Sequence, residues 1–321
     1  MGMLPKYFKE YEVSNITAMI KNNRRDPKMC AADFRDRLVV ISGATSGIGY
    51  LTARKFASRG ARLLCLNRDV EKSEAMKEEL EREFGVSCDY ILADMGVMAE
   101  VRHAAEELQR MDRPIDVLLH NAGVHRTRRE LTPEGFDKVF VVNHLSSFML
   151  NILLAEKLKS QEKARIILVN SEGHRFAAWG LQLDDLNWEK RRYSGLKSYG
   201  SAKLAQLLTM HLFDTYFRDT GVSINAMHPG AVKSNTGKEN SASYRWLKKH
   251  VFDQMLRPTE ISSESLYYLG VSEEMEGVSG KFFNLTTEEE PAPPALDKEA
   301  AREIWVKSLE MTGVQDIIRK S

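Results

Sequence analysis

Three cysteines in 321 residues, Cys30, Cys65 and Cys88, are too few and too irregularly spaced for a disulfide framework or a zinc site. Their scarcity favours a reducing compartment, and the expectation is a cytoplasmic protein. No run of eighteen uninterrupted apolar residues occurs, so no transmembrane segment is expected, and the polar, charged stretch from Tyr7 to Asp26 lacks the pattern of a signal peptide. Charge of one sign is missing as well. The chain carries 46 Lys and Arg against 45 Asp and Glu, a net charge of +1, with no overall basic field to attract nucleic acid. The eight histidines show no metal-ligand spacing, so no metal is expected, and His174 stands out only for lying three residues after Ser171. Lys6 occupies the position where a myristoylation signal after Gly2 needs Ser or Thr, which argues against lipidation.

What is present is 43% hydrophobic residues, enough in a chain of this length for a large buried core. From Leu38 onward, short apolar runs alternate with helical stretches. Strands are expected near 38–41, 61–66, 87–93, 115–119, 165–170 and 222–227, and helices near 51–58, 70–84, 97–110, 133–158, 199–219 and 297–312. Strands separated by helices of this length imply an α/β fold, a doubly wound parallel sheet covered on both faces. Residues 1–35 read as an N-terminal helical extension, 36–314 as a single domain and 315–321 as a tail, with the acidic, Pro-rich 286–294 as a surface linker.

The turn after the first strand is Gly43-Ala44-Thr45-Ser46-Gly47-Ile48-Gly49. Glycines at 43, 47 and 49 permit a tight turn and let a pyrophosphate approach backbone amides at a helix N-terminus, where the helix dipole favours an anion. A plain glycine turn is the alternative. The strand–turn–helix context favours dinucleotide binding and a Rossmann-type sheet. Such folds commonly end the second strand on an acid that takes the ribose 2′-hydroxyl, but this one ends Leu66-Asn67-Arg68. Arg68 suits a 2′-phosphate instead, which favours NADP(H) over NAD; a solvated arginine is the other reading. Asp94 and Met95 follow the third strand and Asn121-Ala122-Gly123 the fourth, at the sheet edge where ligands bind, though each can also be a loop cap.

Tyr199 and Lys203 lie four apart, on one face of any helix they share. A tyrosine becomes a useful acid near neutrality only if its pKa falls from about 10 to about 7, roughly 4 kcal/mol of phenolate stabilisation that an adjacent cation in a partly dry site can supply. On its own the pair reads more readily as a snorkelling lysine beside a tyrosine. Asn143 sits inside an apolar helical stretch, where a buried amide needs partners. Ser171 ends the fifth strand at the same edge as Tyr199, and Pro229-Gly230 and Val232 follow the sixth, where they can close over a nicotinamide. The basic aromatic run 244–249 reads as part of a lid over 234–256, hinged at Ser234-Asn235-Thr236-Gly237 and carrying Trp246, Val251, Phe252 and Leu256 at helical spacing.

Taken together and in order, Gly43-x-x-x-Gly47-Ile48-Gly49, Asn121-Ala122-Gly123, Asn143, Ser171, Tyr199-x-x-x-Lys203 and Pro229-Gly230 resemble the short-chain dehydrogenase/reductase family. Asp184 to Lys190, His228-Pro229-Gly230, Ser279 to Phe283 and the final helix look like its retinol dehydrogenase and protochlorophyllide reductase branch. Ser42 and His120 stand where the family more often has Thr and Asn, Ser234 where it has Thr, and residues 1–35 show no counterpart of the vertebrate retinol dehydrogenases' membrane anchor. The resemblance implies hydride transfer between a nicotinamide cofactor, here NADP(H) on the reading of Arg68, and a carbonyl or alcohol, and the aromatic and aliphatic side chains of the lid suit a lipophilic small molecule. Tyr199 is then the acid/base, Lys203 lowers its pKa and holds the nicotinamide ribose, Ser171 positions the substrate oxygen and Asn143 holds a proton-relay water. The cofactor contacts it implies are Gly43, Thr45, Ser46, Gly47, Ile48, Gly49, Asn67, Arg68, Asp94, Met95, Asn121, Ala122, Gly123, Tyr199, Lys203, Pro229, Gly230, Val232 and Ser234. Reduction of an activated carbon–carbon double bond and a dinucleotide sensor without turnover are the alternatives, and a homodimer stays open.

Overall fold

The computed structural model describes residues 6, 7, 10, 21, 22, 25–230 and 257–318. The expected lid over 234–256, with Val232 and Ser234, lies outside the described residues. Six strands appear where apolar runs predict them: β1 (Leu38–Ser42), β2 (Arg62–Asn67), β3 (Cys88–Leu92), β4 (Val117–His120), β5 (Ala164–Val169) and β6 (Val222–His228). Two further short strands, β7 (Phe282–Asn284) and β8 (Thr287–Glu288), complete an eight-stranded sheet of order β3-β2-β1-β4-β5-β6-β7-β8. All neighbours pair in parallel except β7 and β8. β1 and β5 are buried along their whole length, as expected of strands covered by helices on both faces.

Between residues 25 and 318, the α-helices of the described residues are α1 (Gly47–Ala57), α2 (Val70–Phe84), α3 (Met98–Arg110), α4 (Lys138–Lys159), α5 (Gly195–Tyr216), α6 (Glu260–Val271) and α7 (Lys298–Thr312). α4 starts five residues later than the periodicity predicts, because Asp137 caps it by accepting from the Val139 amide at 2.9 Å. By length and composition α4 could cross a membrane, yet 89% of its most apolar window is buried inside the protein. It is a core helix. Phe148 of α4 packs against Phe213 of α5 and Trp305 of α7, with ring centroids 5.7 and 4.9 Å away.

One expectation fails here. Residues 286–294 are not a surface linker: Glu289, Ala292, Pro293 and Pro294 are buried, and β8 pairs within the sheet. The acidic residue that made the stretch look solvated is held by partners inside the fold, since Glu289 accepts from Arg175 and Asn22. The end of the N-terminal extension packs into the core. Phe34 is 2% exposed and meets Phe56 of α1 edge-on at 5.5 Å, while the Tyr267 hydroxyl donates to the Ala32 carbonyl. Truncation of a buried Phe typically costs about 3–5 kcal/mol. Phe34→Ala should therefore lower the urea midpoint by that order, and a change within experimental error would show that 25–37 is dispensable to the core.

Candidate active site

The strand order reverses between β1 and β4, so their carboxyl ends part and open a crevice. The walls of that crevice are drawn together by one side chain, Asn121, whose amide donates to the Ser42 carbonyl at 3.1 Å and the Gly43 carbonyl at 2.8 Å. The Ser42 hydroxyl accepts from the Asn121 and Ala122 amides, both at 3.1 Å, so serine supplies the hydroxyl at this position. His120 is buried and hydrogen-bonded to Asn151 at 2.7 Å; burial lowers its pKa to about 4, so it is a neutral packing residue.

Glycine is required where this turn approaches the β4 loop. Gly43 has φ +71°, and a Cβ on Gly49 would lie 2.2 Å from the Gly43 carbonyl oxygen. Ser46 makes no side-chain cap bond at the start of α1, and the first turn holds no acidic residue. The turn is thus a cradle that any side chain would fill, at a helix end favourable to an anion. Asn67 supports it from below: its Oδ1 accepts from the Ala44 amide at 2.9 Å, while its Nδ2 is buried without a hydrogen-bond partner among the described residues. Arg68 is half exposed, its guanidinium 3.9 Å from the Asp94 carboxylate, and Asp94 also accepts from the Gly96 amide at 2.8 Å. Met95 beside them is buried in the core.

On the other side of the crevice, Ser171 caps the 3-10 turn Glu172–Ala177 by accepting from the Gly173 amide at 3.0 Å. Gly173 is the contact surface for Tyr199, since a Cβ there would sit 2.7 Å from the tyrosine ring. The Ser171 hydroxyl lies near enough to the Tyr199 phenol to favour its ionised form, and His125 meets the ring edge-on at 5.9 Å. Lys203, one turn along α5, is 3% exposed and donates to the Val169 carbonyl at 2.7 Å, with its nitrogen 5.8 Å from the centre of the Tyr199 ring. Asn143 lies on a π turn, Val141–Leu145, within α4. Its amide nitrogen donates to the carbonyls of Val124 and Val139, both at 2.8 Å, and its Oδ1 is buried without a partner among the described residues. That oxygen would be 2.9 Å from a Cβ on Gly123, so the β4 loop and α4 touch here. Pro229 and Gly230 follow β6, and the Pro229 carbonyl accepts from Ser262 of α6.

The electrostatics differ from expectation in one respect. Burial pushes the Tyr199 phenol up, and the group that lowers it is Ser171 rather than Lys203. Burial simultaneously pulls Lys203 down to about 7, so at neutrality the ammonium is only partly charged and its pull on the phenol is weak. The protein's own groups alone do not bring Tyr199 to neutral acidity. Sequence reading also missed Glu172 and Arg175 around the turn, and marked His174 only for its place three residues after Ser171. Glu172 and Arg175 form an ion pair beside Ser171, and His174 bonds the Ser171 carbonyl through Nδ1 at 2.7 Å and accepts the Ala292 amide on Nε2 at 3.0 Å. Only the positions of Glu172 to Arg175, directly after Ser171, hinted at them.

This geometry has known counterparts. Residues 37–180 match the profile of the short chain dehydrogenase family. Retinol dehydrogenase 13 of Homo sapiens is 33% identical over 286 residues, covering 87% of this chain and 85% of that protein. The WW domain-containing oxidoreductase of Homo sapiens is 32% identical over 286 residues, covering 86% of this chain and 68% of that one. Among solved structures, an uncharacterized protein from Mycobacterium Paratuberculosis superposes with a TM-score of 0.70 at 26% identity, covering 88% of this chain and 96% of that one. The chain belongs to the short-chain dehydrogenase/reductase family, whose members are oxidoreductases that move hydride on a nicotinamide dinucleotide. Within it, the likeness to retinol dehydrogenases 13 and 14 puts it in the retinol dehydrogenase-like branch.

Lys203 carries a stability signature. Its pKa is about 7 folded and 10.5 ordinarily, so between those values the unfolded chain binds more protons and stability should rise with pH, by up to about 1.4 kcal/mol per pH unit. Denaturation between pH 7 and 10 should show that rise in the native protein and a flatter profile in Lys203→Met; parallel profiles would place the lysine's pKa near its ordinary value.

Proposed function

We propose that this protein is an NADP(H)-dependent reductase of a lipophilic carbonyl compound, with Tyr199 as the proton donor to the substrate oxygen. The observation that carries this reading is the convergence of Ser171, Tyr199 and Lys203 on the carboxyl edge of the sheet, with Ser171 beside the phenol and Lys203 buried one turn along the same helix. The dinucleotide, when bound, supplies the hydride. Tyr199 and Ser171 together hold the substrate oxygen, and the tyrosine delivers the proton as negative charge develops there. Lys203, buried and near its titration point at neutrality, exchanges that proton and holds the nicotinamide ribose. The unpartnered Oδ1 of Asn143 offers a buried acceptor for a water that links the lysine to bulk.

The glycine cradle, with Thr45, Ser46 and Ile48, takes the pyrophosphate; Asn121 to Gly123, Pro229 and Gly230 line the nicotinamide half. Arg68, with asparagine rather than a carboxylate before it, supports a 2′-phosphate, and a related fold, L-Sorbose reductase from Gluconobacter frateurii, was solved with NADPH. Three large apolar side chains beside the catalytic pair support a lipophilic substrate: Phe176, Trp179 and Leu196 are each at least half exposed around the Ser171 turn and the start of α5. The names of the retinol dehydrogenase relatives point the same way. All three cysteines are free thiols, in keeping with a reducing, cytoplasmic setting. In this reading 36–314 is the catalytic domain, with 1–35 an extension and 315–321 a tail.

NADPH oxidation against aldehydes, ketones, quinones, retinal and enones tests the reading; turnover of enones alone would replace it with reduction of a carbon–carbon double bond. Tyr199→Phe should leave less than a tenth of the rate with NADPH affinity unchanged, and a variant above that level would remove the tyrosine from the proton step. If a charge-assisted contact is worth about 1.5–3 kcal/mol, NADPH should bind roughly 10 to 150 times more tightly than NADH. Arg68→Ala should erase most of that ratio, and equal affinities in the unmutated protein would refute the NADP assignment.

A further inference from the structure

The 3-10 turn that carries Ser171 is gripped from both sides. On its inner side it packs on α5 at Gly200, where a Cβ would lie 2.8 Å from the Gly173 carbonyl oxygen and 3.0 Å from the Phe176 Cβ. On its outer side it is tied to the segment that follows β8. Arg175 donates to the Glu289 carboxylate at 3.0 Å and to the Glu290 carbonyl at 3.2 Å, and His174 takes the Ala292 amide. Glu289 is 6% exposed and spans the network: one carboxylate oxygen faces Arg175, and the other accepts from Asn284 at 3.3 Å and from Asn22 at 2.9 Å. Asn22 belongs to the N-terminal segment, 267 residues away in the chain, and is itself 7% exposed. A second N-terminal residue seats on the far end of the same stretch. Tyr7, 5% exposed, lies against Gly180, where a Cβ would be 2.9 Å from its ring, and bonds Asp297 at the start of α7.

A carboxylate held away from water by neutral and cationic donors is rigid only while the donors stay. We propose that Asn22 and Glu289 are positioning residues for the hydride-transfer site: the N-terminal segment, through Asn22, fixes the carboxylate that holds Arg175, and through Arg175 the turn that presents Ser171 to Tyr199. The proposal rests on the reductase reading above. Without Asn22, Glu289 loses one of its donors, Arg175 is free to follow Glu172, and Ser171 drifts relative to the tyrosine hydroxyl. A displacement of about 1 Å at a reacting group can cost up to about a hundredfold in rate.

The test uses the full chain and four variants. Asn22→Ala should lower kcat about tenfold while the NADPH dissociation constant stays within twofold, because the dinucleotide cradle lies on the other side of the sheet's switch point. Asn22→Asp, which sets two carboxylates together, should lower kcat further. Asn22→Asp combined with Glu289→Gln exchanges donor and acceptor at the same net charge and should recover most of the loss, a coupling that a merely destabilising change would not show. Amide exchange of residues 171–177 in the ligand-free protein should quicken in Asn22→Ala. This last measurement needs no substrate, so it judges the positioning role even if the reductase reading fails; unchanged protection there, or an active enzyme whose kcat is indifferent to Asn22→Ala, would overturn the proposal. If Asn22→Ala does not fold, Glu289→Gln and the double variant carry the same comparison.

Discussion

The parting of β1 and β4 is the constraint on which the rest of this molecule depends. A doubly wound sheet must reverse its strand order somewhere, and there two loops leave the sheet in opposite directions with their backbone polar groups exposed. Here a single asparagine, Asn121, satisfies the carbonyls of Ser42 and Gly43, and Ser42 returns the favour to two amides of the opposing loop. The glycines follow from that knot, because the β4 loop and the helix start come so close that no side chain fits between them. What is left above the knot is a shallow seat of backbone amides, and the chemistry is placed around it.

The opposite wall works by a different principle. Lys203 is buried with one carbonyl partner, and Asn143 with two, and burial shifts the lysine and the tyrosine toward their neutral forms. A site in this condition holds little charge of its own. It would suit the proposed carbonyl reduction, in which charge appears only transiently on an oxygen and is met at once by a proton, with Ser171 beside the phenol.

Most of the sheet and the pairing of Tyr199 with Lys203 could be read from the chain because they depend on local signals: apolar runs in β1 to β6, the glycine turn, and the four-residue spacing of Tyr199 and Lys203. What escaped depends on distant partners. α6 and the three-residue β7 have no distinctive run of their own, and the latter exists as a strand because β6 offers it a parallel edge. Residues 286–294 looked solvated because acidic and Pro-rich segments usually are; Glu289 is inside only because Arg175, Asn284 and Asn22 arrive from three other places. The direction of the Tyr199 shift was misjudged for a related reason. Spacing shows that a lysine is near, but not that its own burial weakens it as a cation.

The π turn in α4 has a consequence for how this chain can change over time. An α-helix turns about 100° per residue, so the extra residue accommodated in Val141–Leu145 sets the segment before it and the segment after it out of phase. Asn143 reaches the carbonyls of Val124 and Val139 from inside that slack. Losing one residue from 141–145 would let the helix run straight and would swing either its first turn or its long apolar half around by about a quarter of a rotation. Length here is as constrained as identity: substitutions along α4 are felt one contact at a time, whereas a single-codon deletion in this stretch would move the whole inner wall of the cleft at once.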